Sequence, residues 1–88
     1  MVPLPHHPLD FQFSSRALAD QIVQSALTRD PVRLERAITA ALEIHGGAEP
    51  AERSVFEPSR RAAAAVGAEC SAAVNHAIDA CVNARRAA

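Results

Sequence analysis

SRRAAAAVGAECSAAVNHAIDACVNARR, residues Ser59 to Arg86, decides how the rest of the chain is read. It has no proline, it is dominated by alanine, and its larger apolar residues recur every three or four positions, the pattern of one long amphipathic helix. At roughly 100° per residue, Val66, Cys70, Ala73, Val74, Ala77, Ile78, Cys81 and Ala84 share about half of the circumference. Glu69, His76, Asp79 and Asn83 take the other side. Small residues on the apolar face let a neighbouring helix approach closely but give little area per residue. The spacing predicts a rod of roughly 42 Å, longer than either helix the preceding chain can lay against it. A second molecule is the expected cover, and Val66, Cys70, Val74, Ala77, Ile78 and Cys81 are the expected partner-binding residues.

Immediately upstream, Ala48 to Pro58 reads as a connector with two prolines and three glutamates. Glu49-Pro50 opens one short helical turn there, Val55 and Phe56 reach back to the core, and Pro58 restarts the chain ahead of the long helix. Before it, Asp30-Pro31 is a strong helix start, an N-cap aspartate followed by proline at the first helical position. Leu34, Ala37, Ile38, Ala41, Leu42 and His45 then line one face, and Gly46-Gly47 supplies the left-handed stop, so a helix is predicted over about 31–45. Another is predicted over about 15–28, capped by Ser14 or Ser15, with Leu18, Ala19, Ile22, Val23 and Ala26 inward. The short gap between these two makes a helical hairpin. Residues 1–10, with Pro3, Pro5 and Pro8, read as an extended arm that Phe11 and Phe13 pin to the core.

The expected architecture is all-α: three main helices, about 15–28, 31–45 and 59–86, a hairpin packed on a long C-terminal helix, in a dimeric bundle. Residues 11–88 form one helical domain. An 88-residue chain with three phenylalanines and no tryptophan or tyrosine has a modest core, which oligomerisation would supplement. All nine basic residues are arginine, and the alanine bias suits a high-GC bacterial or phage coding sequence. The formal charge of −1 argues against a general electrostatic grip on nucleic acid or lipid. No apolar run is long enough to span a bilayer, and MVPLPHHPLD lacks the pattern of a signal peptide, so a cytoplasmic protein with reduced cysteines is expected.

Chemistry-bearing groups are sparse. Cys70 and Cys81 lie eleven residues apart, about 16 Å along a helix, too far for a disulfide within it. They read as small buried hydrophobes, or as a pair that meets across an antiparallel dimer. His6 and His7 match no zinc spacing, and His76 with Asp79 lacks a third ligand at helical spacing. His45 reads as a C-terminal cap. No metal, cofactor or catalytic residue is assigned, and no enzyme is expected. Arg60 and Arg61 oppose the dipole at the start of the long helix; Glu52 and Glu57 are the expected compensation, with an anion the alternative that makes them candidate anion-binding residues.

A small protein-interaction module (regulator, inhibitor or adaptor), homodimeric or bound to another protein through the small-residue face, is the expectation that fits best. Residues 26–47, ALTRDPVRLERAITAALEIHGG, are similar to the leading helix of some small antitoxin repressors over a quarter of the chain, and the reading helix does not follow. That resemblance implies the alternative of a DNA-binding regulator using Arg60, Arg61, Arg85 and Arg86. A metal- or ligand-binding bundle built on His45, His76 or the cysteines is the third.

Overall fold

A computed structural model describes residues 13–87, all of the regular structure in which is helical. The predicted arm at residues 1–10 and Phe11 lie outside the described residues. Helix α1 (Ser15–Leu27) is capped by Ser14, whose hydroxyl accepts the Ala17 N–H. Helix α2 (Pro31–His45) starts as the sequence predicts, with the Asp30 carboxylate accepting the Arg33 N–H and Pro31 in the first turn. Gly46, at φ 79°, closes it in the left-handed conformation that glycine adopts at least cost. The two helices pack extensively on each other, as the hairpin predicted.

The end of α1 is less conventional. The Arg29 N–H reaches the Ala26 carbonyl and the Asp30 N–H reaches the Ser25 carbonyl, a Schellman closure. Its left-handed position is held by Arg29 (φ 56°) rather than by glycine. An arginine in that conformation costs about 1–2 kcal/mol, so something at this corner offsets the strain.

The connector is more helical than predicted. Helix α3 (Ala48–Ala51) passes through a π-helical turn (Glu52–Phe56) into α4 (Glu57–Val66), and Ala51, Glu52, Phe56 and Glu57 all keep right-handed helical dihedrals. Pro58 explains the turn. It has no N–H to donate and its ring crowds the carbonyl four residues back. The wider π-turn, in which Glu57 N–H bonds the Glu52 carbonyl, accommodates proline without ending the helix. The buried Ser59 hydroxyl donates to the Val55 carbonyl at 2.7 Å, satisfying a backbone acceptor inside the core.

The predicted continuous helix over 59–86 is broken. Gly67, at φ 157° and ψ 171°, separates α4 from α5 (Ala68–Ala87). The two run antiparallel, because Arg60, seven residues before the break, bonds Asn75 and Asp79 beyond it. Folding the rod back lets this chain cover much of what the sequence left exposed: Cys70, Val74 and Ile78 of α5 join a core with Leu18 and Ile22 of α1, Ile38 and Leu42 of α2, and Val55 and Phe56. Phe56 is the largest side chain with no accessible surface. Phe13 stands exposed instead of anchoring the N-terminus to the core.

Candidate functional site

Of the six residues expected to meet a partner, three are enclosed by this chain. Val74 and Ile78 have no accessible surface, and Cys70 keeps only a sliver. Ala77 and Cys81 are partly buried against the same core. Only Val66 remains well exposed, at 53 %. The cause is the break at Gly67, which resets the helical phase so that Val66 falls outside the stripe that Cys70, Val74 and Ile78 continue in α5. The expected partner face is therefore corrected: most of it is internal core.

Val66 instead helps line an open groove of about 620 Å³ between the α1–α2 turn and the α4–α5 break. Leu27, Pro31 and Leu34 form one wall, Val66 and Ala73 the other, and Cys70 lies at its base. Leu27 is 45 % exposed, and Val32, beside Pro31, is 58 % exposed. Two of the five large apolar side chains that stand in solvent among the described residues, Leu27 and Val66, thus line this groove, while Val32 lines a separate one with Glu35, Arg36 and Glu43. At the rim, the Arg29 guanidinium donates to Glu69 at 3.0 Å. The strained backbone of Arg29 aims its side chain at this rim.

The other candidates are accounted for within the chain. Arg60 donates twice to the Glu52 carboxylate, at 3.0 and 3.1 Å, once to the Asn75 amide oxygen at 2.7 Å, and meets Asp79 at 3.4 Å. The hydrogen bonds to Glu52, opposed by partial burial and aided by Asp79, hold its guanidinium even more firmly protonated than usual. Arg61 pairs with Glu57 at 2.7 Å. The carboxylates of the same chain thus fill the place the sequence reading left open for an external anion at Arg60 and Arg61. Arg85 and Arg86 are exposed at the end of α5; Arg86 shares a shallow groove with Arg53 and Arg60, but also with Glu49, Glu52 and Asp79, a mixed surface rather than the basic patch that phosphates need.

Cys70 and Cys81 are both free thiols, and burial, with Glu35 adding, pushes the Cys81 thiol pKa up. That shift disfavours the thiolate and hence nucleophilic or metal-binding chemistry there. His45 Nε2 lies 3.4 Å from the Ser15 hydroxyl, tying the end of α2 to the start of α1. His76 is exposed, and its expected companion Asp79 is engaged by Arg60. Among the described residues no three His, Cys, Asp or Glu side chains come together as a metal site, and no helix is long and apolar enough to cross a membrane. Sequence reasoning missed Leu27 and Arg29. Comparison with protein-family models, with curated proteins and with solved structures finds no match.

Proposed function

We propose that this chain is a small non-enzymatic protein-interaction module, a regulator, inhibitor or adaptor, that acts through the apolar corner formed by Leu27 and Val66. One observation carries the reading. Two large aliphatic side chains, Leu27 and Val66, remain in solvent lining a single open groove, while every buried side-chain polar atom among the described residues has a hydrogen-bond partner. Polar demands are met internally and the apolar corner is not, which is the imbalance that a docking partner corrects. Val66 and Cys70 carry over from the partner-binding set read in the sequence, and Leu27, Ala73 and Arg29 join them. A cytoplasmic setting belongs to the same proposal.

A photo-cross-linking scan in cells tests it. A benzophenone side chain at position 27, 66 or 73 is expected to capture a defined protein product, and the same group at positions 53 or 83, exposed but outside the groove, is expected to capture none. Equal capture at all five positions, or none at the groove, removes the proposal.

A further inference from the structure

We propose that Gly67 is a hinge through which two copies of this chain exchange α5: α4 and α5 join into one continuous helix, and α5 of each copy takes the place in the other that its own α5 fills in the closed chain. The exchange rests on the hinge and not on the groove.

The hinge is a single residue. Val66 ends α4, Ala68 begins α5, and Gly67 between them leaves the helical backbone at φ 157° and ψ 171°. Bonds of an uninterrupted helix already flank it: the Gly67 N–H donates to the Ala63 carbonyl at 3.1 Å, and the Ser71 N–H donates to the Gly67 carbonyl at 3.0 Å. What the bend interrupts is the pairing of the Ala68, Glu69 and Cys70 N–H groups, which open α5 with no carbonyl of their own helix and no capping side chain on glycine. Turning Gly67 into the helical range aims them at the carbonyls of Ala64, Ala65 and Val66, four residues back. Nothing packs against the bend to hold it, since no atom lies within 4 Å of where a Cβ on Gly67 would stand. The flanking AAAAV and AECSAA segments favour helix on both sides.

Opening removes Cys70, Val74 and Ile78 from the core, and that loss decides the occupant. The vacated slot is shaped by Leu18 and Ile22 of α1, Ile38 and Leu42 of α2, and Phe56. At its edges Arg60 is placed for Asn75 and Asp79, and Arg29 for Glu69. A second copy's α5 brings the same side chains in the same register, so each of these contacts re-forms between copies. Two closed chains and one exchanged dimer therefore differ at the hinge and in the entropy of association. A connection this short tips the balance toward exchange.

Refolding the full chain from urea at about 1 mM and at about 1 μM, followed by sedimentation, tests the proposal. A dimer of twice 9.3 kDa is expected from the concentrated sample and monomer from the dilute one, because closure within a chain wins when copies are scarce. Gly67→Ala removes the residue that tolerates the bend and should tighten dimerisation by about a hundredfold, from two hinges at about tenfold each. Inserting two glycines beside Gly67 eases the reversal and should abolish the dimer while helical circular dichroism stays unchanged. In a dimer refolded from isotope-labelled and unlabelled chains, filtered NOEs should join Ile78 methyls of one chain to Ile22 and Ile38 methyls of the other. Wild type and Gly67→Ala both staying at 9.3 kDa overturns the exchange. So does a dimer that survives the glycine insertion, or one whose α5 contacts all remain within a chain. If Gly67→Ala loses its helical signal, the wild-type and insertion results decide alone. The groove reading keeps its own cross-linking test under either result.

Discussion

The α4–α5 hairpin has two ends that solve opposite problems. Around Arg60, four polar side chains from three elements close on one another, and the arginine's charge is met within the chain. Around Gly67, eight to twelve residues away along α5, aliphatic side chains stand in water beside an open groove, and a left-handed arginine is held at its rim. The lesson is that charge drew attention in the sequence while the unsatisfied surface is apolar. The arginine pair expected to oppose a helix dipole meets the two carboxylates the sequence named for it, Arg60 with Glu52 and Arg61 with Glu57, and the alternative of an external anion falls away.

The sharpest way to break this comparison is to empty the core both ends share. Ile78→Ala should cost about 2–5 kcal/mol of stability, whereas Val66→Ala, at an exposed position, should stay within about 0.5 kcal/mol; urea denaturation of both variants checks it, and comparable losses would mean Val66 is core. Next in size is Gly67→Ala. No atom lies within 4 Å of where the added Cβ would stand, so the substitution isolates backbone strain at φ 157°. It should cost about 1–3 kcal/mol in the same assay, and a neutral result would indicate that α4 and α5 can join as one straight helix.

Smaller effects sharpen the contrast between the ends. Arg60→Met removes the brace and leaves Glu52 partly buried beside Asp79; because the site is partly open to solvent, the expected loss is about 1 kcal/mol. Arg61→Met breaks only an exposed pair one helical turn apart and should change thermal stability by no more than about 0.5 kcal/mol. At the groove end the sign reverses. Arg29→Gly relieves the left-handed strain and should leave the isolated chain as stable as wild type or more stable by up to about 1 kcal/mol, while reducing binding at the corner. Smallest is the thiol effect. With its pKa raised by burial, Cys81 should alkylate more slowly at neutral pH in the folded chain than after denaturation, and whatever stability that shift contributes is present below the thiol's unfolded pKa and fades as pH rises through the folded one.

Much of the fold was legible because strong local signals bounded α1 and α2: a serine cap, Asp30-Pro31, and Gly46 after a period of 3.6. The third predicted helix misled for a physical reason. Alanine-rich sequence favours helix so uniformly that one glycine, costing only about 1 kcal/mol in a helix interior, does not outweigh it, although Glu69 in the first turn after Gly67 marks a fresh start. Pro58 looked like a break because a π-turn that absorbs a proline leaves no clear trace in composition, whereas the short helical turn expected from Glu49-Pro50 is present. The groove was illegible for a different reason. Val66 was chosen as part of a continuous stripe to which it does not belong, and Leu27 lies off the inward face of α1, so only the docking of α1 beside the Gly67 break brings them together.

Side-chain oxidation by short hydroxyl-radical pulses, comparing the dilute purified chain with the same chain inside the cells that make it, tests the central claim most directly. Leu27 and Val66 should lose reactivity several-fold in the cell while Ile44, equally exposed on α2, keeps its own. Leu27 and Val66 remaining as reactive in the cell as in dilute solution would contradict the assignment of that corner as a surface built to be covered.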